Sequence, residues 1–377
     1  MAKGAYIGVN NVARKVKKIY YGVANKARKV KKGYIGIGGV ARPWFSAEQK
    51  LVYYGTITPL SQGRYNLAAT TIGNYALFGG GFFNSVYQSV VDAYNKSLTR
   101  STPTALSVGR TELSATTVGD YALFAGGRSN TSTYRDTVDA YNGSLTRTTP
   151  TALSSVMNNM AATTVGNYAL FGGGYEGLGS WVAFLNAYNR SLTRSTPTVL
   201  SQGRYNLAAT TVGNYALFGG GYSGSFSSVV DAYNTSLTRT NPTSLSRGRM
   251  NLEASNVGNY AIFAGGQTSS ISGYVSVVDA YNTSLTRTIL TGLTAARAVL
   301  ASASLGEYAL FGGGQASTSS NDKKVDVYDK NLTHTVATDL SQGRYNLAAT
   351  TVGNYALFGG GYYSSTYQSV VDAYTID

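Results

Sequence analysis

The sequence predicts an all-β protein: a seven-bladed β-propeller with four short strands in each blade, preceded by a small basic segment of β-hairpins. Three observations predict this fold. A Tyr-Ala-Leu-Phe-Gly-Gly motif, slightly varied, recurs seven times at intervals of 45 to 48 residues. The 45 glycines and 31 tyrosines, against six prolines, are typical of short strands joined by tight turns. A second repeat, of 14 residues, occupies the N-terminus.

Each large unit contains four runs of residues that predict strands a, b, c and d in chain order. In the fourth unit the runs are LAATTVG, YALFGGG, VVDAY and SLTRTNPTSL, which are residues 207–213, 215–221, 229–233 and 236–245. The small Ala and Thr residues of the first run suit the innermost strand, where seven strands crowd around one axis. Four strands per unit and seven units therefore predict a propeller.

The two ends of the large repeat region are complementary. The last unit stops at VVDAYTID and so contains strands a, b and c without a strand d. The stretch KLVYYGTITPLS, residues 50–61, precedes the first unit and aligns with the strand-d stretch of the others. We therefore expect residues 51–58 to complete the last blade and close the ring.

The N-terminal segment differs in both repeat and charge. Its units are residues 5–18, 19–32 and 33–46, and each contains a β-rich run, a turn dipeptide and a second run, which predicts a hairpin. Residues 1–45 contain 11 of the 31 Lys and Arg residues and no acid, so +11 of the net charge of +14 lies there. We expect two domains, a basic anchoring segment (1–45) and the propeller (46–377). The candidate anchoring residues are Lys15, Lys17, Lys18, Lys29, Lys31 and Lys32.

The repeat motifs resemble two known families. Gly-Gly doublets after four apolar residues, each followed by a Val-Asp-Ala-Tyr-like run, resemble kelch repeats over roughly residues 50–377. The tryptophan usual in strand d of kelch units is replaced here by leucine, as at Leu98. The basic units resemble short repeats at the start of bacteriophage and prophage structural proteins. Together these resemblances imply a binding propeller on a virion, made in the host cytoplasm.

One face of the propeller is predicted to bind a ligand. The b–c loops and the d–a connections emerge on this face, and the b–c loops differ in almost every unit. In contrast, residues 200–222 and 340–362 are identical. Differences concentrated on loops of a rigid scaffold indicate a binding surface. The alternative is that these loops vary because they tolerate change.

The candidate ligand-binding residues on this face are arginines and aromatic residues. Six of the seven d–a connections carry an arginine at the equivalent position, predicted to circle the channel mouth and bind an anionic ligand. The alternative is that each arginine donates to main-chain carbonyls of the neighbouring blade and fixes its connection. The arginines are Arg64, Arg110, Arg204, Arg249, Arg297 and Arg344, with Met157 in the third unit. The aromatic candidates, suited to stacking on sugar faces, are Tyr65, Tyr134, Tyr175, Trp181, Tyr205 and Tyr345.

The composition argues against several kinds of catalytic site. The chain has no cysteine and one histidine, His334, which excludes thiolate and multi-histidine metal sites. The strand-c carboxylates recur in six units, with Asn186 in the third, so none stands out as half of a catalytic pair. His334 takes the place of an outer-strand arginine such as Arg100, which predicts an edge residue. We expect no enzyme activity, no cofactor and no metal.

The sequence favours a phage or prophage virion surface protein, an accessory adhesin of capsid or tail. Its N-terminus would attach to virion structural proteins, and its propeller would bind a cell-surface ligand, in the first place a glycan. The alternatives are a purely structural decoration protein, an intracellular kelch-type adaptor for an acidic peptide, and a protein that binds nucleic acid through residues 3–32. No membrane span or secretory signal is expected, and a homo-oligomer is compatible with the sequence.

Overall fold

The computed structural model describes residues 50–377, apart from 178, 270–272 and 318–319, together with the backbone of six strands between residues 6 and 46. Contacts between residues divide the chain into two units, Met1–Lys50 with Asp377, and Leu51–Ile376. The division lies a few residues after the predicted boundary at residue 45. The described part of the chain contains no helix long and apolar enough to cross a bilayer.

Each large repeat forms one antiparallel sheet of four strands in the order a-b-c-d, so the prediction of a seven-bladed propeller is confirmed. The inner strands a are Ala68–Ile72, Ser114–Val118, Ala161–Val165, Ala208–Val212, Glu253–Val257, Ala301–Leu305 and Ala348–Val352. The strands b are Tyr75–Gly79, Tyr121–Ala125, Tyr168–Gly172, Tyr215–Gly219, Tyr260–Ala264, Tyr308–Gly312 and Tyr355–Gly359. The strands c are Val91–Asn95, Val138–Asn142, Leu185–Asn189, Val230–Asn234, Val278–Asn282, Val325–Asp329 and Val371–Ile376.

The outer strands d are shorter than the sequence runs suggested, because only two or three residues after each c–d turn pair with strand c. They are Arg100–Ser101, Arg147–Thr148, Arg194–Ser195, Arg239–Thr240, Arg287–Ile289 and His334–Val336, with Leu51–Ile57 in the seventh blade. The leucines at the expected tryptophan position, such as Leu98, lie in the c–d turn at a φ of 60–64° rather than in strand d. They thus end the turn, and Leu98 packs in the core layer between the first and seventh blades.

The seventh blade closes as predicted. Strand Leu51–Ile57 pairs antiparallel with Val371–Ile376, with Ile57 opposite Val371 and Thr56 opposite Asp372. Tyr53 from the closing strand donates a hydrogen bond to Asp372 at 2.7 Å. The first and last strands of the propeller therefore belong to one sheet.

The inner strands form a closed ring around a central channel, because each strand a lies beside the strand a of both neighbouring blades. Threonine hydroxyls bridge many of these neighbours. Thr117 Oγ1 donates to the carbonyl of Thr71 at 2.6 Å, and Thr164 Oγ1 donates in the same way to Thr117. Serine takes this role in the sixth blade, where Ser304 Oγ donates to the carbonyl of Asn256 at 2.6 Å. These hydroxyl groups of the inner strands thus have main-chain acceptors in the neighbouring blade, and the same bonds link one blade to the next.

The hydrophobic core consists of layers between neighbouring blades. Each of seven clusters of buried side chains combines residues of two adjacent blades, as Leu77 and Val91 of the first blade pack with Phe124 and Tyr141 of the second. In every blade the strand-b phenylalanine and the strand-c tyrosine pack edge to face, with ring centroids 5.8–6.1 Å apart. Each of these tyrosines donates to a threonine carbonyl in the connection entering its own blade, such as Thr104 for Tyr141.

The N-terminal units form the three hairpins that the 14-residue repeat predicts. Their strands pair antiparallel as Tyr6–Val9 with Val12–Lys15, Ile19–Val23 with Lys26–Val30, and Lys32–Ile37 with Val40–Ser46. The register is the same in each, since Gly8 faces Ala13, Gly22 faces Ala27 and Gly36 faces Ala41. The predicted turn dipeptides fall between the paired strands, outside the described residues.

Candidate functional site

The candidate ligand-binding face is built from the b–c loops and the d–a connections, which the main chain joins in every blade. Tyr65 in the connection forms a bridge with Phe82 in the b–c loop, and Tyr205 does the same with Tyr222. The other five blades have the equivalent bridge. Four b–c loops also form small hairpins: Phe82–Phe83 with Val86–Tyr87, Tyr175–Gly177 with Ser180–Trp181, Gln315–Ser317 with Ser320–Asn321, and Tyr362–Tyr363 with Thr366–Tyr367. We call this surface the loop face.

The six connection arginines lie inside the blades rather than at the channel mouth. In the fourth blade, Arg204 Nη2 lies 2.7 Å from Asp231 Oδ2 and donates to the carbonyl of Phe218 at 3.1 Å. Its Nη1 donates to the carbonyl of Gln202 at 3.2 Å. Burial lowers the pKa of the Arg204 guanidinium, while the charge of Asp231 opposes that shift. All six side chains are fully buried, namely Arg64, Arg110, Arg204, Arg249, Arg297 and Arg344.

Each buried arginine forms an ion pair with the strand-c aspartate of its own blade, at 2.5–3.0 Å. The second oxygen of that aspartate faces outward. In the second blade, Asp139 Oδ1 accepts from the main-chain N–H of Ser107 at 3.1 Å and lies 3.1 Å from Arg147 Nη1 on strand d. His334 takes the outer position in the sixth blade, where its Nε2 lies 2.7 Å from Asp326 Oδ1. The aspartate thus joins the connection, strand c and strand d.

The third blade lacks both charges at once. Met157 replaces the arginine and Asn186 replaces the aspartate, and both are fully buried. Asn186 Oδ1 still accepts the N–H of Ser154 at 2.8 Å, so the bond to the connection is kept without a buried charge. This joint exception is the sequence signal for the pairing. It is visible only when the connection and strand-c positions are compared blade by blade.

The buried arginines require a correction to the predicted site. Arg64, Arg110, Arg204, Arg249, Arg297 and Arg344 do not present guanidinium groups to a ligand at the channel mouth. The geometry agrees with the alternative, in which each arginine fixes its connection. The carbonyl groups that accept from each arginine belong to its own blade, however, and not to the neighbouring blade. The candidate site therefore contains the aromatic residues and not these arginines.

Aromatic side chains gather on the loop face around Tyr65. Its ring lies 5.8 Å from Phe82 of the same blade and 5.3 Å from Tyr362 of the preceding blade, measured between centroids. Tyr367 stacks on it at 5.9 Å, and Phe82 also contacts Tyr87 at 5.1 Å. The loops of the first and seventh blades thus form one continuous aromatic cluster.

A second cluster surrounds Tyr205 in the fourth blade. Its ring lies 5.9 Å from Tyr222 of the same blade and 5.8 Å from Tyr175 of the preceding blade. Tyr134 extends the cluster beyond Tyr175 at 5.7 Å, and Trp181 contacts Tyr222 at 5.8 Å. The structure therefore brings four predicted residues together, namely Tyr134, Tyr175, Trp181 and Tyr205.

Tyr345, the remaining predicted aromatic residue, contacts Tyr362 at 5.8 Å. Tyr65, Tyr205 and Tyr345 are half-buried, and the indole of Trp181 is 39% exposed. Burial, reinforced by neighbouring tyrosines, raises the pKa of the Tyr65, Tyr205 and Tyr345 hydroxyls. At neutral pH these hydroxyls are therefore uncharged groups able to donate or accept a hydrogen bond.

The mouth of the channel carries a ring of residues that sequence reasoning missed. Each residue of the ring lies two positions after the connection arginine, or after Met157 in the third blade, and has a φ of 50–57°. Its main-chain N–H donates a hydrogen bond of 2.9–3.1 Å to the carbonyl of the equivalent residue in the preceding blade. Seven such bonds close a circle. Its members are Asn66, Glu112, Asn159, Asn206, Asn251, Val299 and Asn346. The signal was the asparagine repeated in five units, since asparagine tolerates the left-handed conformation.

This ring lines a cavity of about 200 Å³ at the mouth, above a second one of about 230 Å³ inside the channel. Two carboxylates lie here. Glu112 is held by Arg128 Nη2 at 2.6 Å and by Asn158 Nδ2 at 2.5 Å. Glu253 lines both cavities, and burial raises its pKa to about 7, against smaller lowering effects of hydrogen bonds from Ser302 and the main chain.

The predicted anchoring lysines lie in or beside the N-terminal hairpins. Lys15 and Lys29 are strand residues of the first two hairpins, and Lys32 begins the third. Lys17, Lys18 and Lys31 fall outside the described residues. Across the part of the chain that the structure describes, no three His, Asp or Glu side chains come together as a possible metal site.

Comparison with known proteins supports the fold. No protein-family model and no curated protein sequence matches this chain. Among solved structures, the one titled "Structure of YjhT" is similar over 85% of this chain and 99% of its own, with a TM-score of 0.55 and 11% sequence identity. At this identity the likeness shows a shared fold alone. A propeller of this kind suits a binding or structural role.

Proposed function

We propose that this protein is a non-enzymatic binding protein whose loop face recognises an uncharged glycan through aromatic side chains. The observation that carries the proposal is the gathering of tyrosines around Tyr65 and around Tyr205. Half-buried tyrosines present a rigid apolar ring and a polar hydroxyl, which suits the apolar faces and hydroxyl groups of a sugar. The burial of the arginines removes the feature that favoured an acidic peptide or another anion.

A glycan array tests this function. The array carries bacterial, fungal and plant polysaccharides, and the whole protein is expected to bind a subset of them. Tyr222→Ala should weaken that binding at least tenfold, because it removes a ring from the centre of the Tyr205 cluster. Asn214→Ala, at an exposed a–b turn on the opposite face, is the matched control and should bind like the parent. Absence of binding to every glycan would leave the purely structural decoration role in its place.

We also propose that residues 1–45 attach the propeller to a phage particle. The support is the charge of +11 in this segment, its three hairpins, whose open edges can pair with strands of a partner, and the resemblance of its units to those of phage structural proteins. Deleting residues 1–44 is expected to abolish incorporation into particles while glycan binding persists. Full occupancy of particles by the shortened protein would move the attachment surface to the propeller.

A further inference from the structure

We propose that the loop face carries two equivalent glycan sites, centred on Tyr65 and Tyr205, which bind two segments of one uncharged polysaccharide. This inference rests on the proposed glycan-binding function and specifies its sites and its type of ligand. The decapeptide SQGRYNLAAT occurs at residues 61–70, 201–210 and 341–350.

The three copies hold their tyrosine in the same way. Tyr65, Tyr205 and Tyr345 each accept, at 2.9 Å, a main-chain hydrogen bond from the first residue of their own b–c loop. Each follows a buried arginine that is paired with the strand-c aspartate. Since sequence and main-chain setting agree, the three tyrosines differ only in the side chains around them.

Two of the three tyrosines lie between an aromatic ring of their own b–c loop and an aromatic ring of the preceding loop. Tyr65 lies between Phe82 of its own loop and Tyr362 of the preceding loop. Tyr205 lies in the same way between two tyrosines, one from its own loop and one from the preceding loop. Tyr345 has Tyr362 on its own side, but Gln315 occupies the equivalent position in the preceding blade. We call the two complete arrangements the Tyr65 platform and the Tyr205 platform.

The platforms lie on opposite sides of the channel mouth, because their blades are three positions apart in a ring of seven. The intervening blades interrupt the aromatic surface. On one side the equivalent positions hold Thr111 and Arg128, and on the other they hold Met250 and Gln267. The loop face therefore presents two separate aromatic surfaces rather than one continuous belt.

The loops around the platforms indicate an uncharged ligand. The third-blade loop of the Tyr205 platform carries one acid, Glu176, which accepts a hydrogen bond from Ser155 Oγ at 3.1 Å. The other three loops of the platforms, residues 81–90, 221–229 and 361–370, contain no Lys, Arg, Asp, Glu or His. Their polar residues are Ser, Thr, Asn and Gln, and the loop tips at 84–86 and 363–366 are exposed. Aromatic rings beside hydroxyl and amide groups match a neutral sugar, whereas an anionic sugar would be expected to meet exposed cations.

Two equivalent sites on one rigid scaffold favour a polymer of identical units. Once one platform holds a segment of the chain, the other meets the next segment at a high effective concentration. A polymer that spans the mouth is then held far more tightly than a short fragment, by a factor on the order of 10²–10⁴. A single monosaccharide gains nothing from the second platform.

Calorimetric titration with matched polymer and trisaccharide pairs tests the inference. The pairs are dextran with isomaltotriose, mannan with mannotriose, and galactan with galactotriose. With the pair that binds, the whole protein should take up two trisaccharides. Tyr65→Ala and Tyr205→Ala should each take up one, and the double variant none. Each single variant should also bind the polymer at least tenfold more weakly. Gln267→Ala, at the fifth-blade position equivalent to Phe82 and Tyr222 and outside both platforms, is the matched control and should still bind two trisaccharides.

The possible outcomes distinguish failure of the two-platform inference from failure of the proposed glycan-binding function. A parent protein that binds one trisaccharide per chain, or a single variant that loses both sites, would overturn the two-platform inference and leave glycan binding in place. A parent that binds none of the pairs and no polysaccharide of the glycan array would overturn the proposed function and the inference with it. Melting curves check that each variant is folded, and Phe82→Ser and Tyr222→Ser serve as a second pair of platform variants if the first pair unfolds.

Discussion

At the scale of single residues, the arginine–aspartate pairs decide how the connections are held. A buried ion is costly unless it is paired and hydrogen-bonded, and each arginine here has an aspartate and main-chain carbonyls as partners. Removing one member of such a pair leaves an uncompensated charge inside the blade. The third blade avoids this cost because it replaces both members together.

Transplanting the third-blade pair into the second blade tests this explanation. Asp139→Asn leaves Arg110 buried without its counter-charge and is expected to lower the free energy of unfolding by about 3–5 kcal/mol. Arg110→Met should be similarly damaging, because it leaves Asp139 without its inner partner. The double variant should be less destabilised than the sum of the two, as measured by urea denaturation. Simple additivity would contradict the pairing.

The carboxyl group of Glu253 gives a pH dependence with a definite sign. Its pKa in the folded protein is about 7, raised from 4.5, so folding favours the protonated form. Stability from this group is present at acidic pH and is lost as the pH rises through about 7. Glu253→Gln should therefore be more stable than the parent at pH 8, by about 1–2 kcal/mol after allowance for water in the channel, and equal to it near pH 4.

The control for that experiment is Asn214→Ala, which removes no titratable group from an exposed a–b turn. Its difference from the parent is expected to be the same at both pH values. An equal effect of Glu253→Gln at pH 4 and pH 8, in thermal melts at constant ionic strength, would show that folding does not raise the pKa of Glu253.

At the scale of elements, the closing strand Leu51–Ile57 matters most. It supplies the outer strand of the seventh blade, the bond from Tyr53 to Asp372, and apolar contacts to the layer between the sixth and seventh blades. A propeller without it has an open strand edge at Val371–Ile376. The two ends of the repeat region are then no longer joined in one sheet.

Two truncations distinguish the closing strand from the segment before it. Removing residues 1–61 is expected to lower the melting temperature of the whole propeller by several degrees or more, because a sheet edge is opened and buried apolar surface is exposed. Removing residues 1–44 should leave it nearly unchanged, since the propeller unit begins at Leu51. Calorimetry measures both, and equal melting temperatures for the two truncations would contradict the closure argument.

The strands could be predicted from the sequence because the same four runs of residues recur in every repeat. Seven copies of one motif reveal which runs are strands, and the unpaired last unit reveals the closure. The burial of Arg64 and the five equivalent arginines could not be predicted from their sequence position alone. It depends on how the connection, strand b and strand c pack together within a blade. The platforms likewise depend on contacts between loops of different blades, such as that between Tyr65 and Tyr362.

At the scale of the whole molecule, the propeller separates stability from recognition. Residues that hold the blades together, such as Asp139 and Tyr141, are buried and repeat in most or all units. The aromatic rings of the loop face are half-buried or exposed, and they differ between units. A rigid scaffold of this kind places variable side chains accurately on one face, which suits the binding role that we propose for it.

Hydrogen exchange measured by mass spectrometry tests directly where a glycan contacts the protein. Exchange of the whole protein is compared with and without the polysaccharide that it binds. We predict slower exchange in peptides covering residues 82–88, 175–181, 222–226 and 362–367 on the loop face. Peptides covering the a–b and c–d turns, such as 73–75 and 95–98, should be unchanged. Slower exchange confined to those turns would show that the glycan binds on the opposite face.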